Sequence, residues 1–254
     1  MHTEEFKRLR QVRIVLVEPN HPGNIGAAAR AMKNMGQAEL LVVNPRRYPD
    51  PQADWRAAGA LDVLDGARVV PDVATAIEDC HWVVGTSTRM RKIPWPVASP
   101  AAVAAQIAER PVDAKVAILF GREDNGLSNE ELRLCHCHLQ IPADPVYPSL
   151  NLAMAVQVVC YELFQLMGDA ENVATTVQRG WDRPLATVAQ TDAMLDHLEQ
   201  VLLRRGFLNP ENPGQTMTRL SRLFRRVQLD ETEVQILRGV YKHLDEAVDS
   251  DPEP

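Results

Sequence analysis

The stretch EPNHPGNIGAAAR, from Glu18 to Arg30, places Gly23 and Gly26 among polar side chains. The glycines permit a tight backbone, and Asn24 and Arg30 offer donors near a helix N-terminus, which suits a polar or anionic group. Taken alone, the same residues read equally well as a structural turn followed by an ordinary helix arginine. His21 could act as a general base or, more simply, make a positioning hydrogen bond. Three further stretches have similar chemistry. Gly85-Thr86-Ser87-Thr88-Arg89 supplies hydroxyls and backbone N–H groups for a polar ligand, or a capped turn. Leu119 to Ser128, LFGREDNGLS, breaks at Gly121, and a buried Glu123 would either cap the next helix or face a ligand. Ile141 to Ala155 carries prolines at 142, 145 and 148, and Ser149 can N-cap the helix that follows.

Elements must bring these stretches together. Apolar runs at 13–17, 39–44, 81–86 and 115–121 alternate with helix-like segments, which predicts an α/β domain with a mostly parallel sheet. The polar stretches at 18–30, 85–89 and 119–128 follow three of these strands, where open α/β sheets bind ligands. Ala27 to Met35 reads as the first helix, stopped at Gly36, and residues 100–110 as an alanine-rich helix. Leu150 to Met167 is apolar nearly all round and is expected to be buried against the sheet or another subunit. The pattern lapses at 168–184, which reads as a linker between a domain at 1–167 and a small all-α domain at 185–254. Helices are expected there over Thr187–Arg205, Gln215–Val227 and Glu231–Val248, the last opened by a capping-box pair, Asp230 and Glu233.

A chain of 254 residues with 45% hydrophobic residues can bury a sizeable core. The N-terminus has no secretory apolar region and no run is long enough to span a bilayer, so a soluble, cytoplasmic protein is expected. Four cysteines at this length fit reduced thiols. The net charge of −7 argues on its face against a polyanionic partner, but net charge does not describe a particular surface. Arginines cluster at 46–47, at 89–92 with Lys92, and from Arg204 to Arg226; each cluster alone reads as a solvated face, and acid gathers in the tail after Asp245.

Several chemistries are excluded. The chain has no GxxxxGK[ST] phosphate loop, no GxGxxG after the first strand and no GxSxG elbow. Cys135-His136-Cys137-His138 alternates, so at most two of the four side chains share a face of a strand; with no second pair of structural-zinc spacing, no metal site is expected.

NIGAAAR, FGREDNGLSNEE and PSLNLAMAVQ resemble, in order, the three motifs of the SPOUT RNA methyltransferases. RIVLVEPNHPGNIGAAARAMKNMG, VVGTSTR, IPWP and the C-terminal GFLNPENPGQTMTRLSRLFRR and DETEVQILRG extend the resemblance over nearly the whole chain, to the bacterial tRNA cytidine/uridine 2′-O-methyltransferase family. That resemblance implies a SPOUT fold with a C-terminal trefoil knot, a homodimer with active sites at the subunit interface, and S-adenosyl-L-methionine as cofactor. It also implies 2′-O-methylation of nucleotide 32 in the tRNA anticodon loop, with neither DNA nor membrane as partner. Another tRNA position, ribosomal RNA, or a catalytically silent RNA-binding dimer are the alternatives.

Residue by residue, the resemblance implies a cofactor pocket of Thr86, Ser87, Thr88, Gly121, Glu123, Ile141, Pro148, Ser149 and Leu150. Pro148 stands where related chains can have a hydroxyl residue, so a contact there is through backbone or packing. Asn151 is expected to pin the knot. Arg30, with Asn24 and Ser149, forms the catalytic group, and the family proposal makes Arg30 the base. Removing a proton from a guanidinium at neutral pH costs roughly 9 kcal/mol before environmental help, so a positioning role stands beside that one. Arg89, Arg122, Arg219, Arg222, Arg225 and Arg226 are the expected RNA contacts.

Overall fold

The computed structural model describes residues 12–87, 95–168, 183–211 and 214–246. They form two compact units that divide at Arg179 and Gly180, within the stretch where the apolar pattern lapses.

Strands of the first unit carry almost continuous apolar runs, as strands buried on both faces of a parallel sheet must. These are β1 (Val12–Val17), β2 (Leu40–Val43), β3 (Arg68–Val70), β4 (Trp82–Thr86), β5 (Val97–Ala98), β6 (Val116–Phe120) and β7 (Cys137–Leu139). They make one seven-stranded sheet in the order β3-β2-β1-β6-β4-β7-β5. Every pairing is parallel, including Ile14 opposite Leu40 on one side of β1 and Ile14 opposite Ile118 on the other. The four strands expected from apolar runs are present. The additional β3, β5 and β7 are two or three residues long, too short for periodicity to show.

Seven helices belong to this unit's described residues: α1 (Pro22–Asn34), α2 (Pro51–Ala57), α3 (Leu61–Asp65), α4 (Val73–Ile77), α5 (Pro100–Ala108), α6 (Asn129–Arg133) and α7 (Leu152–Gly168). Helix α1 begins five residues before its expected start, because Pro22 occupies the first turn, where a missing N–H costs nothing. Helix α7 is capped by Asn151, whose Oδ1 accepts from Ala153 N at 2.9 Å, and not by Ser149; Ser149 lies two residues too early. The apolar residues of α7 divide between two faces. Val156, Val159, Cys160 and Leu163 enter the core, while Met154, Tyr161 and Phe164 face outward.

Two contacts fix α1. A Cβ added to Gly26 would lie 1.9 Å from Ala53 O, so only glycine admits the close approach of α2. Ile25, Ala28, Ala29 and Met32 bury the other side in the same core as Ile14, Trp82, Phe120 and Val156.

The second unit contains α8 (Val188–Arg204), α9 (Thr216–Val227) and α10 (Glu231–Glu246), close to the expected bounds. Met194, Leu198, Val201, Leu229, Val234 and Tyr241 form its core. A Thr187–Gln190 capping box opens α8, and Asp230 and Glu233 exchange the reciprocal hydrogen bonds expected at α10.

Candidate functional site

The carboxyl ends of β4, β6 and β7 open into a cavity of about 340 Å³. Thr86 and Ser87 line it from β4, Gly121 and Glu123 from the loop after β6, and Ile141 from the segment after β7. Pro148, Ser149 and Leu150 close it ahead of α7. Eight of the nine residues of the expected pocket therefore share one cavity; Thr88, and Arg89 among the RNA contacts, lie outside the described residues. Phe120, Leu139 and Leu152 add apolar wall.

Local geometry explains the residue types. A Cβ on Gly121 would lie 2.1 Å from Gly126 C and 2.2 Å from Leu127 N, so the loop folds back on bare backbone. Gly126 turns with φ at +68°, and its N–H donates to Arg122 O at 2.9 Å. Thr86 Oγ1 donates to Leu119 O at 2.9 Å and Ser87 N donates to Leu139 O at 2.9 Å, which fixes the end of β4 between its two neighbours.

Glu123 holds the chain at the entry to the first helix and does not cap the next one. Its carboxylate accepts from Asn20 N at 2.8 Å, His21 N at 3.2 Å and Asn24 Nδ2 at 2.8 Å. Burial pushes its pKa upward, but the donors from Asn20, Asn24 and His21 outweigh that and hold it below the ordinary glutamate range. Asn24 Oδ1 in turn accepts from Asn151 Nδ2 at 3.2 Å. Glu123, Asn24 and Asn151 thus join the three motif stretches in one relay.

Two of the expected RNA contacts have partners within the protein. Arg122 gives Nε to Glu18 Oε2 at 2.9 Å and both terminal nitrogens to Glu131 at 2.9 and 3.0 Å, so its donors are engaged by two carboxylates. It clamps the loop after β6 to the end of β1. Arg225, only 3% exposed, pairs with Asp192 and donates Nε to Ser221 Oγ at 3.2 Å, so it holds α9 to α8. Arg219 and Arg226 are exposed and Arg222 is half-buried. Arg30 is exposed on α1, outside the cavity at the sheet's carboxyl edge.

The Cys135–His138 run is occupied by structural contacts. His136 Nδ1 accepts from Val83 N at 3.0 Å, and His138 stacks on Trp95 with ring centres 5.5 Å apart. Sequence reasoning passed over a second cavity, of about 390 Å³, between α1 and α2. Gln52 and Arg56 line it, and their four-residue spacing on one helix face was the available signal.

Comparison with known proteins places the molecule. The SpoU rRNA Methylase family matches residues 11–161, more than half of the chain, and the C-terminal domain of tRNA methyltransferase TrmJ matches residues 189–253. The tRNA (cytidine/uridine-2'-O-)-methyltransferase TrmJ of Cronobacter sakazakii is 44% identical over 244 residues, covering 96% of this chain and all of that protein. The chain belongs to the TrmJ branch of the SpoU methylase family. TrmJ of Sodalis glossinidius is 45% identical over 93% of this chain and 92% of its own. Among solved SpoU-type structures, TrmJ from Z. mobilis ZM4 superposes with a TM-score of 0.78 at 36% identity, over 92% of this chain and 98% of that one. The SpoU match covers the parallel sheet and the cavity at its carboxyl edge, whereas the TrmJ match covers most of the three-helix unit.

Proposed function

We propose that the chain transfers a methyl group from S-adenosyl-L-methionine to the ribose 2′-hydroxyl of a pyrimidine at position 32 of the tRNA anticodon loop. The observation that carries this reading is the single cavity built from all the cofactor loops and tied to the Arg30 helix through Glu123, Asn24 and Asn151. Membership in a family whose relatives are named tRNA (cytidine/uridine-2'-O-)-methyltransferases supports the reaction and the substrate class.

The residues present fit the cofactor. About 340 Å³ lies in the range of small-molecule sites, and the backbone fold at Gly121 leaves a floor without side chains. Leu139, Ile141 and Leu150 would hold the adenine ring, and Thr86, Ser87 and Ser149 the polar parts. Bound there, S-adenosyl-L-methionine supplies an electrophilic sulfonium methyl.

Arg30 is exposed, where its forked donors can hold the ribose and an adjacent phosphate. Aligning the 2′-oxygen is its main contribution, and the proton leaves late to water or phosphate. Asn24 positions the start of Arg30's helix through its two hydrogen bonds. Ser149 contributes to the cofactor wall. Arg219, Arg222 and Arg226 track the RNA backbone, and DNA, lacking the accepting hydroxyl, is no substrate.

The reading includes a homodimer. Tyr147, Leu150, Met154, Tyr161 and Phe164 are exposed around α7, an apolar patch of the kind that marks an interface. It also includes the trefoil knot of the family, with Asn151 pinning it, and a cytoplasmic location. Among the described residues no helix is long and apolar enough to cross a membrane.

The test incubates purified protein with labelled S-adenosyl-L-methionine and unmodified tRNA, beside Arg30→Ala, and maps the product by nucleoside mass spectrometry. A 2′-O-methylated nucleotide 32, lost in the variant, is expected. Transfer elsewhere, including to ribosomal RNA, overturns the target, and cofactor titration without binding leaves only a silent RNA-binding dimer.

A further inference from the structure

The cavity between α1 and α2 has a specific composition. A Cβ on Gly23 would lie 3.3 Å from Arg56 Cγ and 3.6 Å from Gln52 Cδ, so both stems run across the bare start of α1. The contact at Gly26 holds α2 in place, and the cavity of about 390 Å³ is completed by His21, Asn24 and Asn151. Among the described residues no carboxylate lines it. It is separate from the cofactor-sized cavity but shares the relay, since Asn24 donates to Glu123 on that cavity's wall.

Trp55 lies on the same short helix and is 79% exposed. At 3.6 residues per turn, Trp55, Gln52 and Arg56 fall within about 100° of arc. An aromatic face beside a guanidinium and an amide is the equipment that proteins use for splayed-out, single-stranded nucleotides. Helix α1 contributes the other end: Gly23, Ala27 and Arg30 recur at the spacing of one helix face, which sets Arg30 one turn beyond the cavity wall.

We propose that this cavity is the subsite for the accepting RNA pyrimidine, with Gln52 reading the base edge, Arg56 holding the adjoining phosphate and Trp55 stacking on a neighbouring base. A glutamine amide presents a donor and an acceptor side by side. In one orientation it meets N3 and the N4 amino group of cytosine, and turned over it meets N3–H and O4 of uracil. One residue therefore accepts both pyrimidines without a change of pocket. The inference rests on the methyltransferase reading and gives it a base-recognition site.

The experiment uses the full chain and synthetic anticodon stem-loops bearing cytidine, uridine or an abasic ribose at the accepting position. The unchanged protein should lose about tenfold in affinity on removal of the base, the size of one good base contact. Gln52→Leu should bind all three stem-loops within about twofold of one another. Arg56→Ala should weaken binding about tenfold and make the salt slope shallower by about one. Stem-loop binding should quench tryptophan fluorescence, and Trp55→Ala should remove most of that quench. All three side chains are exposed, and unaltered titration with S-adenosyl-L-methionine checks that each variant is folded. Variants that keep the parent's affinity and base dependence overturn the subsite alone. A parent protein that binds S-adenosyl-L-methionine but no stem-loop overturns the tRNA reading, and the subsite with it.

Discussion

Asn151 donates through Nδ2 to Oδ1 of Asn24, 127 residues earlier in the chain, at 3.2 Å. The same Asn151 caps α7 through Oδ1, and the same Asn24 donates to Glu123. Each amide is thus used at both ends, which fixes its orientation. Two helices from opposite ends of the first unit are set by one pair of side chains. Asn151→Ala removes a cap and a tertiary hydrogen bond together, and should cost about 1–2 kcal/mol in chemical denaturation. Asn24→Asp should be worse, because it puts a second carboxylate where Glu123 now finds a donor.

Acid should loosen the same region. Glu123 is held below the ordinary glutamate range by Asn20, Asn24 and His21, against the upward push of burial; Glu18 is lowered chiefly by its hydrogen bond from Arg122. Both bind their protons less readily folded than unfolded. Their stabilisation is therefore fully present above the unfolded value of about 4.3, and is lost as pH falls through the lower folded value. Denaturation midpoints followed from pH 7 to pH 3 should fall for the parent chain. Glu123→Gln should be less stable at pH 7 and fall less steeply; a parallel fall in the two proteins would show that Glu123 is not responsible.

Gly121→Ala is expected to damage the proposed cofactor cavity through backbone rather than chemistry. The new methyl would need the chain at Gly126 and Leu127 to move, which overpacking data put at about 1–3 kcal/mol. Thermal unfolding and titration with S-adenosyl-L-methionine should both register it. Gly126→Ala meets nothing within 4 Å but sits at φ +68°, so its loss should be smaller and conformational.

The arginines of α9 should separate by role. Arg225→Ala breaks a pair whose arginine side chain is 4% exposed and whose aspartate side chain is 38% exposed, so about 2–3 kcal/mol of stability should be lost, less than for a fully buried pair. Arg219→Ala and Arg226→Ala should stay within about 0.5 kcal/mol of the parent in stability. Under the RNA reading, each should instead weaken tRNA binding and reduce its salt slope by about one.

The four cysteines should resist alkylation in the folded chain. All are buried as free thiols, and burial pushes Cys137 up to about 11 and Cys80 and Cys160 up to about 12. The thiolate that reacts is scarce at pH 8. Iodoacetamide labelling followed by mass spectrometry should show slow modification until denaturant is added.

Local sequence determined the long elements and the identity of the loops that matter. The apolar runs of β1, β2, β4 and β6 are continuous because both faces are buried, and the cap at Asp230 is read from Glu233, three positions away. Such signals act over a few residues and survive in a linear string. The loops after β4 and β6 and before α7 stood out because polar residues and glycines interrupt apolar patterns.

Tertiary structure decided what those side chains touch. Nothing near Arg122 announces Glu18, and nothing near Arg225 announces Asp192, yet those carboxylates engage both guanidiniums within the protein. Glu123 was legible as a carboxylate needing donors, but not that they would come from the start of α1. The cavity over Gly23 exists because Gly26 admits Ala53 O at a distance that no side chain permits. Charge pairing and close approach depend on distances between residues far apart in sequence, and the folded chain alone sets them.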